Sequence, residues 1–153
     1  YDHPQDNVKP DYAKAAKLYE HAAEQGLAPA QDQLARLYAA GHGVPKNDKV
    51  ALELETKAAG QSYEYAYMPL AILKMSPDAG PVDNTVAYQW YLTAEHTDAA
   101  LVAPSFRSEF AIFAQKLTPQ QKNAAENAAE AWVAQHPTPS PTDVMKGFLL
   151  AKR

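Results

Sequence analysis

Small and apolar residues return along this chain every 36 positions, separated by polar and charged stretches. Six columns of this register hold side chains of similar size or capping type: Asp11, Asn47 and Asp83; Ala15, Ala51 and Ala87; Leu18, Leu54 and Trp90; Ala22, Ala58 and Ala94; Ala30, Ala66 and Val102; Leu34, Leu70 and Phe106. Self-similarity at a fixed step of this size is typical of repeat architectures. The pattern predicts three stacked repeat units, at about residues 8–43, 44–79 and 80–115.

Within each unit the apolar spacing is helical. Ala15, Leu18 and Ala22 step by three and four, which places them on one helix face. A break at Gln25-Gly26-Leu27 then separates this stretch from a second helical pattern. Alanine favours helix and β-branched residues are sparse, so each unit is predicted to be a helix, a tight turn and a second helix.

The unit boundaries carry capping signals. Asp11, Asn47 and Asp83 suit N-caps, because their side-chain oxygens accept hydrogen bonds from the free amides of a first turn. Gly41 and Gly43 bracket the loop to the next unit, where a positive φ is predicted.

The columns of small residues predict how the units stack. Alanines at the helix crossings let two backbones approach closely, so successive helical pairs can nest. Leu18, Leu54 and Trp90 are expected to fill the space between layers, and Trp90 is interpreted as a core residue.

The register ends near residue 115, and a different helix is predicted to follow. Thr118-Pro119-Gln120-Gln121 combines an N-cap Thr, a Pro at the first position and a Gln that completes a capping box. The helix 118–135, with Trp132 on its apolar face, is predicted to cap the solenoid, which makes 1–135 one domain. Residues 136–153 are predicted to be a Pro-rich linker and a short helix at 144–152.

Composition narrows the class of partner. The net charge is −4 and no lysine cluster forms a stripe, so nucleic acid is not an expected partner. The absence of cysteine removes disulfides and thiolate metal sites, and no apolar run is long enough to span a bilayer. A start at Tyr1 is expected for a processed or trimmed protein, whose compartment could be the periplasm or the cytosol.

No arrangement of reactive side chains appears in the sequence. The five histidines form no compact ligand pair, and no nucleophile elbow, phosphate loop or dinucleotide fingerprint is present. Glu53 and Glu55 are two positions apart on a helix, so they do not share a face. The sequence therefore predicts no catalytic residue, no metal site and no cofactor.

An aromatic cluster supplies the candidate binding residues. The register turns Ala66 and Leu70 inward, so the side chains beside them are expected on the inner, concave face. Tyrosine and methionine are enriched at protein interfaces. The candidate protein-binding residues are Tyr63, Tyr67, Met68 and Lys74. The alternative is that some of these tyrosines pack under neighbouring loops.

Two stretches resemble a known family. Asp11 to Gly26 (DYAKAAKLYEHAAEQG) and Ala30 to Val44 (AQDQLARLYAAGHGV) resemble the two halves of the Sel-one-like repeat (SLR). Their pattern is D-x-x-K-A-x-x-W/L-Y-x-x-A-A-x-x-G, then A-x-x-x-L-G-x-x-Y-x-x-G-x-G-V. The G-x-G-V loop and the 36-residue step favour this family over the 34-residue tetratricopeptide repeat.

The resemblance implies an all-α, right-handed α/α superhelix that binds another protein in its concave groove. It also implies a bacterial, non-catalytic module. The most concrete hypothesis is a periplasmic immunity-type inhibitor of a type VI lipase effector, or an envelope adaptor. The alternative is an interaction segment of a larger enzyme or regulator truncated at its N-terminus.

Overall fold

The computed structural model describes residues 11–137 and confirms the all-α class. Residues 11–137 contain no β-strand and form these helices: α1 Tyr12–Glu24, α2 Ala28–Ala40, α3 Asp48–Ala59, α4 Tyr67–Lys74, α5 Asn84–Thr97, α6 Pro104–Ala114 and α7 Pro119–Gln135. Two 3-10 turns, Glu64–Ala66 and Ala99–Leu101, precede α4 and α6. The linker and helix predicted within 136–153 lie outside the described residues, apart from His136 and Pro137.

The three predicted N-caps are confirmed, and they set the repeat. Asp11 accepts a hydrogen bond from the backbone N–H of Lys14 at 2.9 Å, and Asn47 accepts one from that of Val50 at 3.1 Å. Asp83 caps α5 by accepting from two backbone amides at 3.1 and 3.0 Å. Each cap satisfies donors that a helix leaves unpaired, so α1, α3 and α5 begin at equivalent positions.

Alanines lie where the helices cross. The side chains of Ala51, Ala58, Ala87 and Ala94 are buried, as the register predicts. Helix α2 packs on α3, α4 lies between α3 and α5, and α5 packs on α7. Because these crossings hold methyl groups instead of larger side chains, consecutive helices nest closely enough to share one core.

The column that was expected to fill the space between layers behaves differently at its two ends. Trp90 is buried, as predicted, with its ring 5.7 Å from that of Tyr67 and 4.8 Å from that of Trp132. Leu54 is half-buried. Leu18 is 65% exposed, so the expectation that it packs between layers is wrong. Helix α1 packs on α2 through its opposite side, and no other described helix covers Leu18.

The predicted capping helix is present. In the capping box of α7, Gln121 donates its backbone N–H to the Thr118 hydroxyl at 3.2 Å and accepts from the Thr118 N–H at 2.9 Å. Buried Ala125 and Ala129 face α5, and Trp132 meets Trp90 edge to face. Helix α7 therefore covers the apolar face that α5 would otherwise expose.

Gly43 offers a sharp test of the inter-repeat loop. Its φ is 74°, and a Cβ at this position would overlap the backbone of Tyr12 and Ala13. We expect Gly43→Ala to destabilise the fold by about 2 to 4 kcal/mol, since steric overlap adds to the cost of a left-handed backbone. Gly26→Ala is the matched control, because φ is 84° there and the space is open. Urea unfolding should show a cost of about 1 kcal/mol for the control; equal costs would contradict the argument.

Candidate protein-binding groove

Three neighbouring cavities run along one face of α2, α4 and α6. The cavity between α2 and α4 measures about 360 Å³, the next about 270 Å³, and the cavity between α4 and α6 about 160 Å³. Ile72 lines all three, while Arg36 and Pro69 line the first two. The shared lining makes them one continuous depression, which is called the groove below.

The groove exposes apolar side chains. Tyr65 is 50% exposed and Ile72 44%, and Met75 and Phe106 add partly exposed surface beside them. Isolated apolar side chains are common on protein surfaces, but a contiguous set within a depression is typical of an interaction site. Glu64 and Glu109 lie at its edges, so the rim is polar.

The structure corrects the expected exposure of two of the predicted binding residues. Tyr67 is only 1% exposed and stacks near Trp90, and Met68 is also buried, although it contributes to the wall of the 270 Å³ cavity. Their expected exposure is wrong, because α4 lies between α3 and α5 and therefore buries two adjacent faces. Tyr63 is half-buried 5.3 Å from the Tyr65 ring. Half-buried Lys74 lines none of the three cavities.

Tyr65, which belongs to the same aromatic cluster of the sequence, and Ile72 were not among the candidate residues predicted from the sequence. The signal available was the position of Ile72, which belongs to neither the Ala66 and Leu70 face nor the face of Tyr67. This position predicts exposure of Ile72 only when it is known that α4 is covered on two sides by other helices. Whether Tyr63, Tyr67, Met68 and Lys74 take part in binding stays a prediction.

A buried pair of carboxyl groups lies below the groove. Asp32 accepts hydrogen bonds from the Arg36 Nε at 2.9 Å and from the Gln33 Nε2 at 3.0 Å. Glu55 of α3 is 1% exposed and lines the 360 Å³ cavity. Its Oε2 has no hydrogen-bond partner among residues 11–137. A buried polar atom without a partner is rare in folded proteins and points to a special role.

Burial sets the protonation of Glu55. The pKa of Glu55 is raised from its usual 4.5 to about 9, and removal from water is the largest cause. The charge of Asp32 and a hydrogen bond between the two carboxyl groups also raise it, while the charge of Arg36 lowers it. The carboxyl is therefore neutral at pH 7. It lies beside an ion pair, Asp32 with Arg36, whose guanidinium remains partly exposed.

Glu55 also departs from the repeat. The equivalent positions of the first and third units hold Tyr19 and Tyr91, and the Tyr91 ring stacks on Phe110 at 4.5 Å. The sequence reasoning considered Glu55 only as a poor partner for Glu53 and did not single it out. The change from tyrosine to glutamate in this column was the signal that would have found it.

Other chemistry has little support in the described part of the chain. Residues 11–137 hold no cluster of three or more His, Asp or Glu side chains that could bind a metal ion. The His42 ring stacks on Tyr12 at 4.8 Å, and that of His136 on Trp132 at 3.9 Å. None of the described helices has the length and apolarity to cross a membrane.

Helical pairs in a 36-residue register with a lateral groove define the class of α/α-solenoid repeat proteins. The family model for the Sel1 repeat matches residues 1–27, 28–68 and 70–94, so the chain belongs to the Sel1 repeat (SLR) family. The predicted family is confirmed. Sel1 repeats are generally scaffolds for protein–protein interaction.

A solved structure supports the same fold. The chain is similar to a protective antigen present in uropathogenic Escherichia coli strains, whose crystal structure displays an SLR fold, with a TM-score of 0.74 and 26% sequence identity. The match covers 84% of this chain and 27% of that chain, so this chain spans about a quarter of the antigen's length. A search of the curated proteins gives no match.

Stability should fall with rising pH because of Glu55. The folded chain keeps a proton that the unfolded chain releases above pH 4.5, so stability declines from about pH 5 and levels off above about pH 9. We expect this group to contribute a loss of about 2 to 6 kcal/mol across that range. Glu55→Gln should flatten the profile measured by urea unfolding. Glu53→Gln, an exposed change on the same helix, should leave the slope unaltered; a flattened slope there would contradict the assignment.

Alanine substitutions of Tyr67 and Tyr65 should distinguish a core position from a surface position. We expect Tyr67→Ala to cost about 3 to 5 kcal/mol in free energy of unfolding, because it leaves a cavity against Trp90. Tyr65→Ala should cost less than about 1 kcal/mol, since half of its side chain already meets solvent. Thermal and urea unfolding measure both. Similar costs for the two tyrosines would show that their placement is wrong.

Proposed function

We propose that this chain is a non-catalytic protein-binding module that holds a segment of a partner protein in the groove. The supporting observation is the continuity of three cavities around Ile72, with Tyr65 and Phe106 exposing apolar surface beside it. Apolar anchors within a depression, surrounded by a polar rim, are the usual anatomy of a binding hot spot. A segment with apolar side chains is the occupant that fits this surface.

We further propose that the module serves at a bacterial cell envelope. The two roles considered are an envelope adaptor and a periplasmic immunity-type inhibitor of a type VI lipase effector. The adaptor is favoured, because the similar Escherichia coli protein is described as a protective antigen. Co-expression with candidate lipase effectors tests the inhibitor: protection of the cells would favour it over the adaptor.

A second candidate is an interaction segment of a larger enzyme or regulator. The observation that favours it is the length of the Escherichia coli protein, of which this chain covers only 27%. The reading frame around the gene separates the two candidates. A secretion signal directly upstream supports the envelope module, whereas a long folded domain in that place supports the second candidate.

The groove itself is tested with a random twelve-residue peptide library displayed on phage. We expect enriched peptides to carry aromatic or aliphatic anchors, and Ile72→Gln to weaken their binding about tenfold or more, because an apolar contact is lost at the centre of the groove. Ile112→Gln is the matched control, since Ile112 is 62% exposed on α6 and lies outside the three cavities. Peptides that bind the Ile72 variant as tightly as the unchanged chain would refute the groove.

A further inference from the structure

The 360 Å³ cavity at one end of the groove has apolar walls and an acidic floor. Ala35 and Ala39 of α2 face Pro69 and Leu73 of α4 across it, and Glu55 of α3 lies beneath. Its volume falls within the range of pockets that bind a specific chemical group. The cavity therefore offers mostly apolar surface, the Arg36 side chain in its wall and one carboxyl group.

The residue at the floor differs from the equivalent residues of the other two units. In the next unit the equivalent residue is Tyr91, whose ring stacks on Phe110 at 4.5 Å, and the cavity there measures about 160 Å³. The cavity above Glu55 is about 360 Å³. A glutamate side chain is smaller than a tyrosine side chain, so a tyrosine in this column would occupy part of the space beside Glu55.

Two carboxyl groups and one basic group lie around the floor among the described residues. Asp32 pairs with Arg36, whose side chain is 52% exposed, while Glu55 Oε2 has no partner. From the segment before α4, Tyr63 also faces this pair. The α4 wall contributes Pro69, Ile72 and Leu73, which carry no charge. While Glu55 is protonated, the charges of Asp32 and Arg36 balance, so a further positive charge is matched only when Glu55 ionises.

We propose that this cavity takes a lysine or arginine side chain of the bound segment, with its cation on Glu55. The inference rests on the proposed function, because it names the chemistry of one anchor in the groove. The aliphatic stem of the basic side chain lies along the alanine and proline walls, as such stems commonly do on apolar surface. The cation supplies the hydrogen bond that Glu55 Oε2 lacks.

Binding is coupled to loss of a proton. The carboxyl of Glu55 is protonated at pH 7, because burial raises its pKa to about 9. An approaching cation favours the ionised form, so the proton passes to the buffer and an ion pair forms in its place. Calorimetry in two buffers of different ionisation enthalpy should therefore report up to one proton released for each basic anchor bound.

The peptide library tests the anchor directly. We expect enriched peptides to hold a lysine or arginine at a fixed spacing from the apolar residues. Replacing that lysine with norleucine should weaken binding about 10- to 100-fold, the effect of one charge-assisted hydrogen bond. Glu55→Gln should weaken the lysine peptide similarly, abolish proton release and remove the difference between lysine and norleucine. Glu53→Gln, the same change on the exposed side of α3, should alter none of these.

Two further measurements separate this anchor from the groove as a whole. Glu55→Tyr, which restores the residue of the other two units, should fill the pocket and abolish the preference for a basic residue. n-Butylammonium, with n-butanol as the neutral control, should shift the amide resonances of Ala35 and Ala39 in the unchanged chain and leave them unshifted in Glu55→Gln.

These experiments distinguish failure of the basic anchor from failure of the groove. Enriched peptides without a basic residue, or with a preference that survives Glu55→Gln, overturn the anchor and leave the groove intact. If no peptide is enriched, the proposed groove fails, and the butylammonium measurement decides the anchor alone. Equal shifts with n-butanol, or in Glu55→Gln, overturn the cation pocket.

Discussion

Close contact between helices through alanine is the constraint on which the rest of this structure depends. Methyl groups at Ala51, Ala58, Ala87 and Ala94 allow α2 to α5 to pack as consecutive layers, and each layer buries a face that its neighbour leaves apolar. A longer side chain at such a crossing would push the helices apart and open the shared core. The 36-residue spacing of the units places an alanine at each of these helix contacts, and the groove lies along the face of the helices that these contacts leave uncovered.

The groove is the face of α2, α4 and α6 that the layered packing leaves uncovered. Helix α4 lies at its centre, because α4 is packed on two sides and presents Ile72, which lines all three cavities, on the remaining one. A scaffold of this kind separates stability from recognition. The buried columns maintain the layers, while exposed positions on the free face vary without disturbing them.

Glu55 is an exception to this separation of stability from recognition. It occupies a structural column that holds tyrosine in the neighbouring units, and it exchanges ring packing for a buried carboxyl group whose Oε2 has no partner among the described residues. Such a substitution lowers stability near neutral pH, since the carboxyl must retain its proton in order to stay buried. Sites that depart from the rules of packing are commonly sites of function, and the position of Glu55 at the floor of the cavity agrees with that.

The sequence alone determined the helices, their caps and the family, because these depend on local spacing: Asp11, Asn47 and Asp83 each cap a helix through amides two or three residues away. Which faces of α4 meet other helices depends on contacts between distant parts of the chain. The prediction that Tyr67 is exposed was therefore wrong, and the exposure of Ile72 in the groove was not predicted. Only the tertiary structure decided these points, since burial and the pKa of a carboxyl group are set by neighbours that local sequence does not specify.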